Sequence, residues 1–181
     1  MKLTSLSKSV RTIGLMTLLF SATVGVSVQQ SAQAQVHHQT RPKSKATIVE
    51  IAASNPEFST LVTAVKAAGL VETLSSKGPF TVFAPTNKAF AALPEGTLAK
   101  LLKPENRNLL RKVLTYHVVP GDLMAKDLRS GRVATVEGNS VAVRVRRGRI
   151  RINKSHVIKA DVDAKNGVIH VIDRVLLPPG L

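Results

Sequence analysis

The chain has 181 residues and no cysteine, and its 26 Lys and Arg residues outnumber its 11 Asp and Glu residues, giving a net charge of +15. This length suits one domain with a core of its own, and the lack of cysteine excludes a disulfide-stapled scaffold, so core packing must hold the fold together. The positive charge favours contact with polyanions and carries no information about the fold.

The N-terminal segment has the three parts of an export signal. Its basic residues are Lys2, Lys8 and Arg11. An apolar stretch at residues 13–28 follows, and Ala32 and Ala34 form a small-x-small cleavage site. This pattern predicts a signal peptide at residues 1–34, a secreted or periplasmic protein with no transmembrane span after cleavage, and no contact with genomic nucleic acid. The alternative is a retained membrane anchor, because the apolar stretch is only slightly shorter than a membrane span.

Residues 35–45 (QVHHQTRPKSK) lack apolar periodicity, which predicts a disordered leader before a domain at residues 46–179. His37 and His38 lie in this leader without a third ligand nearby, so we predict no metal site there.

The first half of the domain has the pattern of short amphipathic helices. Asn55 and Pro56 suit the cap and first residue of one helix, and Gly69 suits its C-terminal cap. Other helices are predicted to begin at Thr47 and at residues 87–93, 97–102 and 104–114, with a strand at residues 80–84. Strands follow at residues 116–119, 132–136, 141–146, 149–153, 156–162 and 168–177. Helices first and strands after indicate an α+β fold.

Three segments carry a family resemblance: residues 80–93 (FTVFAPTNKAFAAL), 115–121 (TYHVVPG) and 166–179 (NGVIHVIDRVLLPP). In their order and spacing they closely resemble the fasciclin domain family. The resemblance implies a wedge of two small β-sheets packed at an angle, with several short helices along one edge. It does not by itself assign a function, because function depends on sites rather than on the fold.

His170 is the first candidate for chemistry, because it lies between Ile169 and Val171 in an apolar strand and must find a hydrogen-bond partner there. The resemblance implies a structural role, with a partner near Thr86 and Asn87. A ligand-binding or catalytic role is the alternative. His117, His156 and His170 are far apart in the sequence and lack a carboxylate pattern, so we predict no metal and no cofactor.

Two further pairs match positions that the resemblance links to adhesion receptors in animal members of the family. They are Tyr116 with His117 and Asp161 with Val162. The structural alternative for Tyr116 is a ring packed inward on an apolar strand with its hydroxyl hydrogen-bonded. Around Asp161 the sequence departs from the animal pattern, since Lys159 precedes the pair and Asp163 follows it.

The sequence contains no Gly-x-Ser-x-Gly elbow, phosphate-binding loop, His-Glu-x-x-His motif or cysteine nucleophile, so we predict that the protein is not an enzyme. Asp161 and Asp163 lie two apart on a predicted strand and would share a face suited to a cation or to acid-base chemistry. More often, such a pair simply lies on the solvent-exposed side of an edge strand and has no functional role.

Residues 141–152 (VAVRVRRGRIRI) predict a hairpin around Arg147 and Gly148, with Arg146 facing Arg149 and Arg144 facing Arg151. One face of it would be apolar and the other all arginine. Facing like charges destabilise a sheet, so the arginines work against the fold. Charge that protects an edge strand from aggregation is one explanation, and guanidinium groups that bind sulfate, phosphate or carboxylate are the other.

The sequence therefore predicts a binding module for adhesion or envelope-surface association, with the arginine hairpin as the main contact. Its partner would be an anionic polysaccharide, an anionic envelope or membrane surface, or another surface protein. The alternatives are an enzyme that acts on envelope polymer through His170 or through Asp161 and Asp163, and a passive structural protein of the periplasm.

The export signal gives a first testable prediction, which is cleavage after Ala34. Intact-mass measurement of the exported protein should show a chain that begins at Gln35. A species that retains residues 1–34 and partitions with membrane would support the anchor instead.

Overall fold

The computed structural model describes residues 44–181, which form six short α-helices and seven β-strands. The predicted signal peptide, His37, His38 and all but the last two residues of the predicted leader lie outside this range. The helices are α1 (Ile48–Ser54), α2 (Ser59–Ala68), α3 (Val71–Ser75), α4 (Asn87–Ala91), α5 (Thr97–Leu102) and α6 (Arg107–Tyr116). The strands are β1 (Phe80–Pro85), β2 (Val118–Pro120), β3 (Gly131–Ala134), β4 (Ser140–Arg146), β5 (Arg149–Ile152), β6 (Ser155–Ala164) and β7 (Gly167–Ile172).

Helix ends follow the predicted capping chemistry. The Asn55 side chain accepts a hydrogen bond from the Glu57 amide ahead of a 3-10 turn at Pro56–Phe58, which leads directly into α2. Gly69 ends α2 in the left-handed conformation that glycine adopts without strain. A second 3-10 turn, Pro104–Asn106, leads directly into α6 but has no capping side chain.

The strands follow the order β2-β1-β7-β6-β5-β4-β3 and form two sheets that share β6. The first two residues of β6 pair with β5, and its remainder pairs with β7 across two irregularities between Val157 and Val162. Strands β1 and β7 run parallel and every other neighbouring pair is antiparallel. The predicted α+β class, with two small sheets and several short helices, is confirmed.

Two hydrophobic cores lie on opposite faces of β1 and β7. Val82 and Ile169 belong to the larger core, which α1, α2 and α6 cover. Phe83 and Ile172, which have the opposite parity along the two strands, belong to the second core, which the inner face of β4 and β5 covers. All six residues of β7 are buried, so this strand is covered on both faces.

Two local predictions were wrong, and one helix was not predicted. Helix α6 extends to Tyr116, so Tyr116 and His117 are not on a strand, although their aromatic and β-branched neighbours favour one. Strand β7 ends at Ile172 rather than at residue 177, because side chains take over as backbone partners: Ser155 Oγ donates to the Arg174 carbonyl and the Leu176 amide donates to His117. The sequence pattern also did not predict α3.

Candidate polyanion-binding surface

The hairpin of β4 and β5 has the predicted register. Arg144 lies opposite Arg151, and Arg146 lies opposite Arg149. The turn residues Arg147 and Gly148 both have positive φ, at 50° and 74°, as a type I′ turn requires. An arginine in this left-handed conformation is unusual, because Asn or Gly adopts it at lower cost.

The hairpin has one apolar and one basic face. Its inward residues, which belong to the second core, are Val141, Val143, Ile150 and Ile152. We call the outward set the arginine face, and it consists of Arg144, Arg146, Arg147, Arg149 and Arg151, all exposed. Within residues 44–181, none of these guanidinium groups has a hydrogen bond or an ion pair. Their charges are available to a partner.

The arginine face continues onto the neighbouring strands. His156 on β6 lies opposite Arg151, so a row of three basic side chains, Arg144, Arg151 and His156, crosses three paired strands. Asp173 lies beside the His156 end of this row, and its Oδ2 is 3.1 Å from His156 Nδ1. On the other side, Arg132 of β3 lies opposite Ala142, two residues before Arg144.

Edge protection explains only part of this charge. Strands β4 and β5 lie inside the sheet order, and the edges are β2 and β3. The hairpin tip extends beyond its neighbours, since β3 pairs with Ser140 to Val143 alone, so Arg146 and Arg149 do lie at a free end. The row that contains Arg144 and Arg151 continues onto the paired strand β6. Edge protection therefore does not explain the charge of this row.

Tyr116 and His117, predicted as partner contacts, are both 2% exposed. The Tyr116 hydroxyl donates to the Ser140 carbonyl at 3.1 Å and accepts from Asn153 Nδ2 at 3.1 Å. His117 Nδ1 donates to the Val113 carbonyl at 2.7 Å, and its Nε2 accepts from the Leu176 amide at 2.9 Å. Direct contact of these side chains with a partner is therefore not available. Tyr116 thus packs its ring inward and has its hydroxyl hydrogen-bonded, as in the structural alternative. It lies on a helix rather than on a strand.

His170 is fully buried, but its predicted partner near Thr86 and Asn87 was wrong. Its Nε2 donates to the Leu123 carbonyl at 2.8 Å, and its Nδ1 accepts from the Asp161 amide at 3.3 Å. The ring stacks on Phe83, its neighbour across the parallel strands, with centroids 5.8 Å apart. His170 thus holds the loop after β2 against β7.

Asp161 supports the same loop. It adopts a left-handed φ of 56° at the irregularity of β6, and its Oδ1 accepts from the Ala125 amide at 2.7 Å. The register shift between Lys159 and Val162 interrupts the two-residue alternation at Asp161, so the spacing of Asp161 and Asp163 does not by itself place them on one strand face. Val162 is half-buried against the larger core. The Asp161 and Val162 pair is therefore engaged in the fold.

Thr86 and Asn87 act on the helices instead of on His170. Thr86 Oγ1 caps α4 by accepting from the Ala89 amide at 3.3 Å. Asn87 Oδ1 accepts from the Thr60 amide at 3.0 Å, and its Nδ2 donates to the Pro56 carbonyl at 2.8 Å. The two family motifs are joined by the pairing of β1 with β7, not by a side chain of this pair.

Both buried histidines are held neutral. Burial lowers the pKa of His117 to about 4, against the opposing effect of its bond to the Val113 carbonyl. Burial also lowers the pKa of His170, although the Leu123 carbonyl and the nearby Asp161 and Asp122 act in the opposite direction. Because each ring donates from one nitrogen and accepts at the other, both are occupied as neutral tautomers.

Residues 44–181 contain no group of three His, Cys, Asp or Glu side chains placed to hold a metal ion. In the same range, no helix is both long and apolar enough to cross a bilayer.

Sequence reasoning missed two polar side chains that position the loop and the first helix. Thr81 Oγ1 donates to the Gly121 carbonyl and accepts from the Leu123 amide. Asn166 Oδ1 accepts from the Ile48 amide, and its Nδ2 donates to the carbonyls of Leu74 and Ser76. The available signals were a polar residue in an apolar strand, for Thr81, and a polar residue before a turn glycine, for Asn166.

The contacts of His170 predict that His170→Ala lowers the free energy of unfolding by about 1–3 kcal/mol, because the Leu123 carbonyl and the Asp161 amide lose their buried partner. Thermal or urea unfolding measures this. The exposed His156 supplies a matched control, and His156→Ala should change stability by only about 0.5 kcal/mol. A His170→Ala protein of unchanged stability would contradict the structural role.

His117 predicts a pH dependence. The unfolded ring takes up a proton near its ordinary pKa of 6.5, whereas the folded ring resists protonation until about pH 4. The unfolded state therefore binds more protons in this interval, so stability falls as the pH drops through it, with a contribution from His117 of about 3 kcal/mol. Urea unfolding of wild type and His117→Gln across this range should show a weaker slope in the variant. Equal slopes for wild type and His117→Gln would refute the assignment.

Comparison with known proteins agrees with this architecture. The fasciclin domain model matches residues 56–178. Protein sll1483 of Synechocystis is 57% identical over 152 residues, which cover 84% of this chain and 84% of that protein. Transforming growth factor-beta-induced protein ig-h3 of Sus scrofa is 40% identical over 134 residues, which cover 74% of this chain but 19% of that protein.

A solved structure shows the same fold. The FAS1 domain pair of the insect cell adhesion molecule fasciclin I superposes with a TM-score of 0.67 at 25% identity, covering 74% of this chain and 51% of that one. With a family model that spans most of the chain and relatives that share its sequence and fold, the chain belongs to the fasciclin domain family, which includes proteins of cell adhesion.

Proposed function

We propose that this protein is an exported binding module, secreted or periplasmic, that attaches to acidic polysaccharide at the cell envelope through its arginine face. The observation that carries the proposal is the set of facing, exposed and unpaired guanidinium groups on β4 and β5. Like charges opposite each other lower the stability of a sheet. A bound anion relieves this repulsion, and the relief contributes to its affinity. Guanidinium groups also match sulfate, phosphate and carboxylate oxygens in a two-pronged geometry.

The shape of the hairpin favours a polymer over a membrane as the partner. A loop that inserts into lipid presents large apolar side chains, whereas Arg147 and Gly148 form this tip. The large apolar side chains exposed within residues 44–181 are elsewhere, at Val136, Ile158, Leu177 and Leu181. A row of exposed arginines suits a chain that carries repeated acidic groups.

The enzyme alternative has less support. His170 is fully buried with both ring nitrogens engaged, and the Asp161 carboxylate accepts from a loop amide, so neither presents a free group to a substrate. Membership of a family with adhesion proteins favours binding over catalysis. A surface protein with an acidic patch would use the same arginine face, and competition with soluble polysaccharide distinguishes it.

Replacing Arg144, Arg146, Arg149 and Arg151 by Thr should leave stability unchanged or raise it by up to about 1 kcal/mol, since Thr suits strands and the repulsion disappears. Affinity for a sulfated polysaccharide should fall at least about tenfold. Wild-type affinity should also weaken with salt, because exposed charges are screened over about 8 Å at physiological ionic strength. Binding isotherms at two salt concentrations and thermal melts provide the measurements.

The matched control removes the same charge from the helices, through Gln at Lys66, Lys100, Arg111 and Lys112, which are all exposed. It should keep most of the affinity. If the Thr variant binds as well as the control, the contact lies elsewhere on this basic domain. A Thr variant that melts much earlier than wild type would show that the arginines support the fold. Stronger loss of binding to anionic vesicles than to polysaccharide would favour a membrane surface.

A further inference from the structure

A cleft of about 820 Å³ lies beside the base of the hairpin. It is bounded by the end of α4, by the start of β4 and the turn after β5, and by the segment that follows β7.

The charged side chains that line the cleft are all basic. They are Arg132, Lys154 and Arg174, and no Asp or Glu side chain joins them in the lining. All three are exposed, and within residues 44–181 none of their side chains has a hydrogen bond or an ion pair. The cleft therefore suits an anionic ligand.

The rest of the lining is mixed in character. Leu93, Pro94, Val175 and Leu177 provide apolar walls, and the half-buried Asn153 provides a polar group. A sugar ring combines apolar C–H faces with polar and acidic substituents, so an acidic sugar matches this mixture of walls and charges.

The cleft opens onto the arginine face. Arg132 lies opposite Ala142, which lines the cleft and is two residues from Arg144 on the same side of β4. Asn153, whose side chain accepts from the Ala142 amide at 2.8 Å, is likewise two residues from Arg151. From Ala142 to Arg146 the strand rises about 13 Å, so a ligand that fills the cleft and covers the arginine face must be an extended chain.

We propose that the cleft is a second subsite for the acidic polysaccharide, holding one end of the bound stretch while the arginine face holds its continuation. This inference rests on the proposed function and makes it more specific. It predicts an affinity that rises with chain length until both sites are filled, whereas a single site reaches its full affinity with a short fragment.

The test uses size-fractionated heparin oligosaccharides, from disaccharide upward, and the whole mature chain. The double variant Lys154→Gln with Arg174→Gln should bind short fragments like wild type and lose about tenfold in affinity for long ones. The matched control, Lys100→Gln with Arg111→Gln, removes one Lys and one Arg from exposed positions outside the cleft and should show no such length dependence.

Tyr116 provides an independent readout, because it is the chain's one tyrosine and there is no tryptophan. Its ring borders the cleft, so long fragments should change its fluorescence and short fragments held on the arginine face should not. The four-Thr hairpin variant should lose binding at every length.

The outcomes separate the two proposals. Equal behaviour of the cleft variant and its control at all lengths, with an unchanged Tyr116 signal, overturns the second subsite and leaves the arginine face intact as the binding site. Length-dependent loss in the cleft variant together with full binding by the hairpin variant keeps the cleft and overturns the arginine face.

Discussion

The parallel pairing of β1 with β7 is the contact on which the rest of the structure depends. Both strands are buried on two faces, so they separate the helix-covered core from the core under the hairpin. Their approach is close: the Phe80 amide donates to the Asn166 carbonyl, and a Cβ at Gly167 would collide with the Phe80 carbonyl. Glycine is required there because φ is 154° and the neighbouring backbone occupies the space of a side chain.

Polar side chains complete this central pair from within. His170 stacks on Phe83 and binds the loop after β2, while His117 joins the end of α6 to the segment after β7. Within residues 44–181, no buried side-chain nitrogen or oxygen lacks a hydrogen-bond partner. The residues that the family motifs share thus serve the interior, which explains why the motifs predict the fold well and a ligand poorly.

The sequence determined the features that depend on neighbours along the chain. The caps at Asn55 and Gly69 and the hairpin register around Arg147 follow from local geometry and were predicted correctly. The partners of His170 were not predicted correctly. They come from a loop and from a strand irregularity at Asp161, and the alternation of residues indicates neither. Tyr116 was placed on a strand because its neighbours favour one, whereas packing of α6 extended the helix. The cleft, formed by distant segments, has no sequence signature.

The separation of interior from surface bears directly on function. The hairpin is anchored through Val141, Val143, Ile150 and Ile152, so its outer face can carry repelling charges without loss of the register that places them. Repulsion between facing arginines acts at the surface, where solvent screens it, and the buried face supplies the compensating stability. The outward residues of this hairpin can therefore vary while the shared motifs maintain the fold. In this chain the outward residues are arginines, and the groups that they are chemically suited to bind are anions.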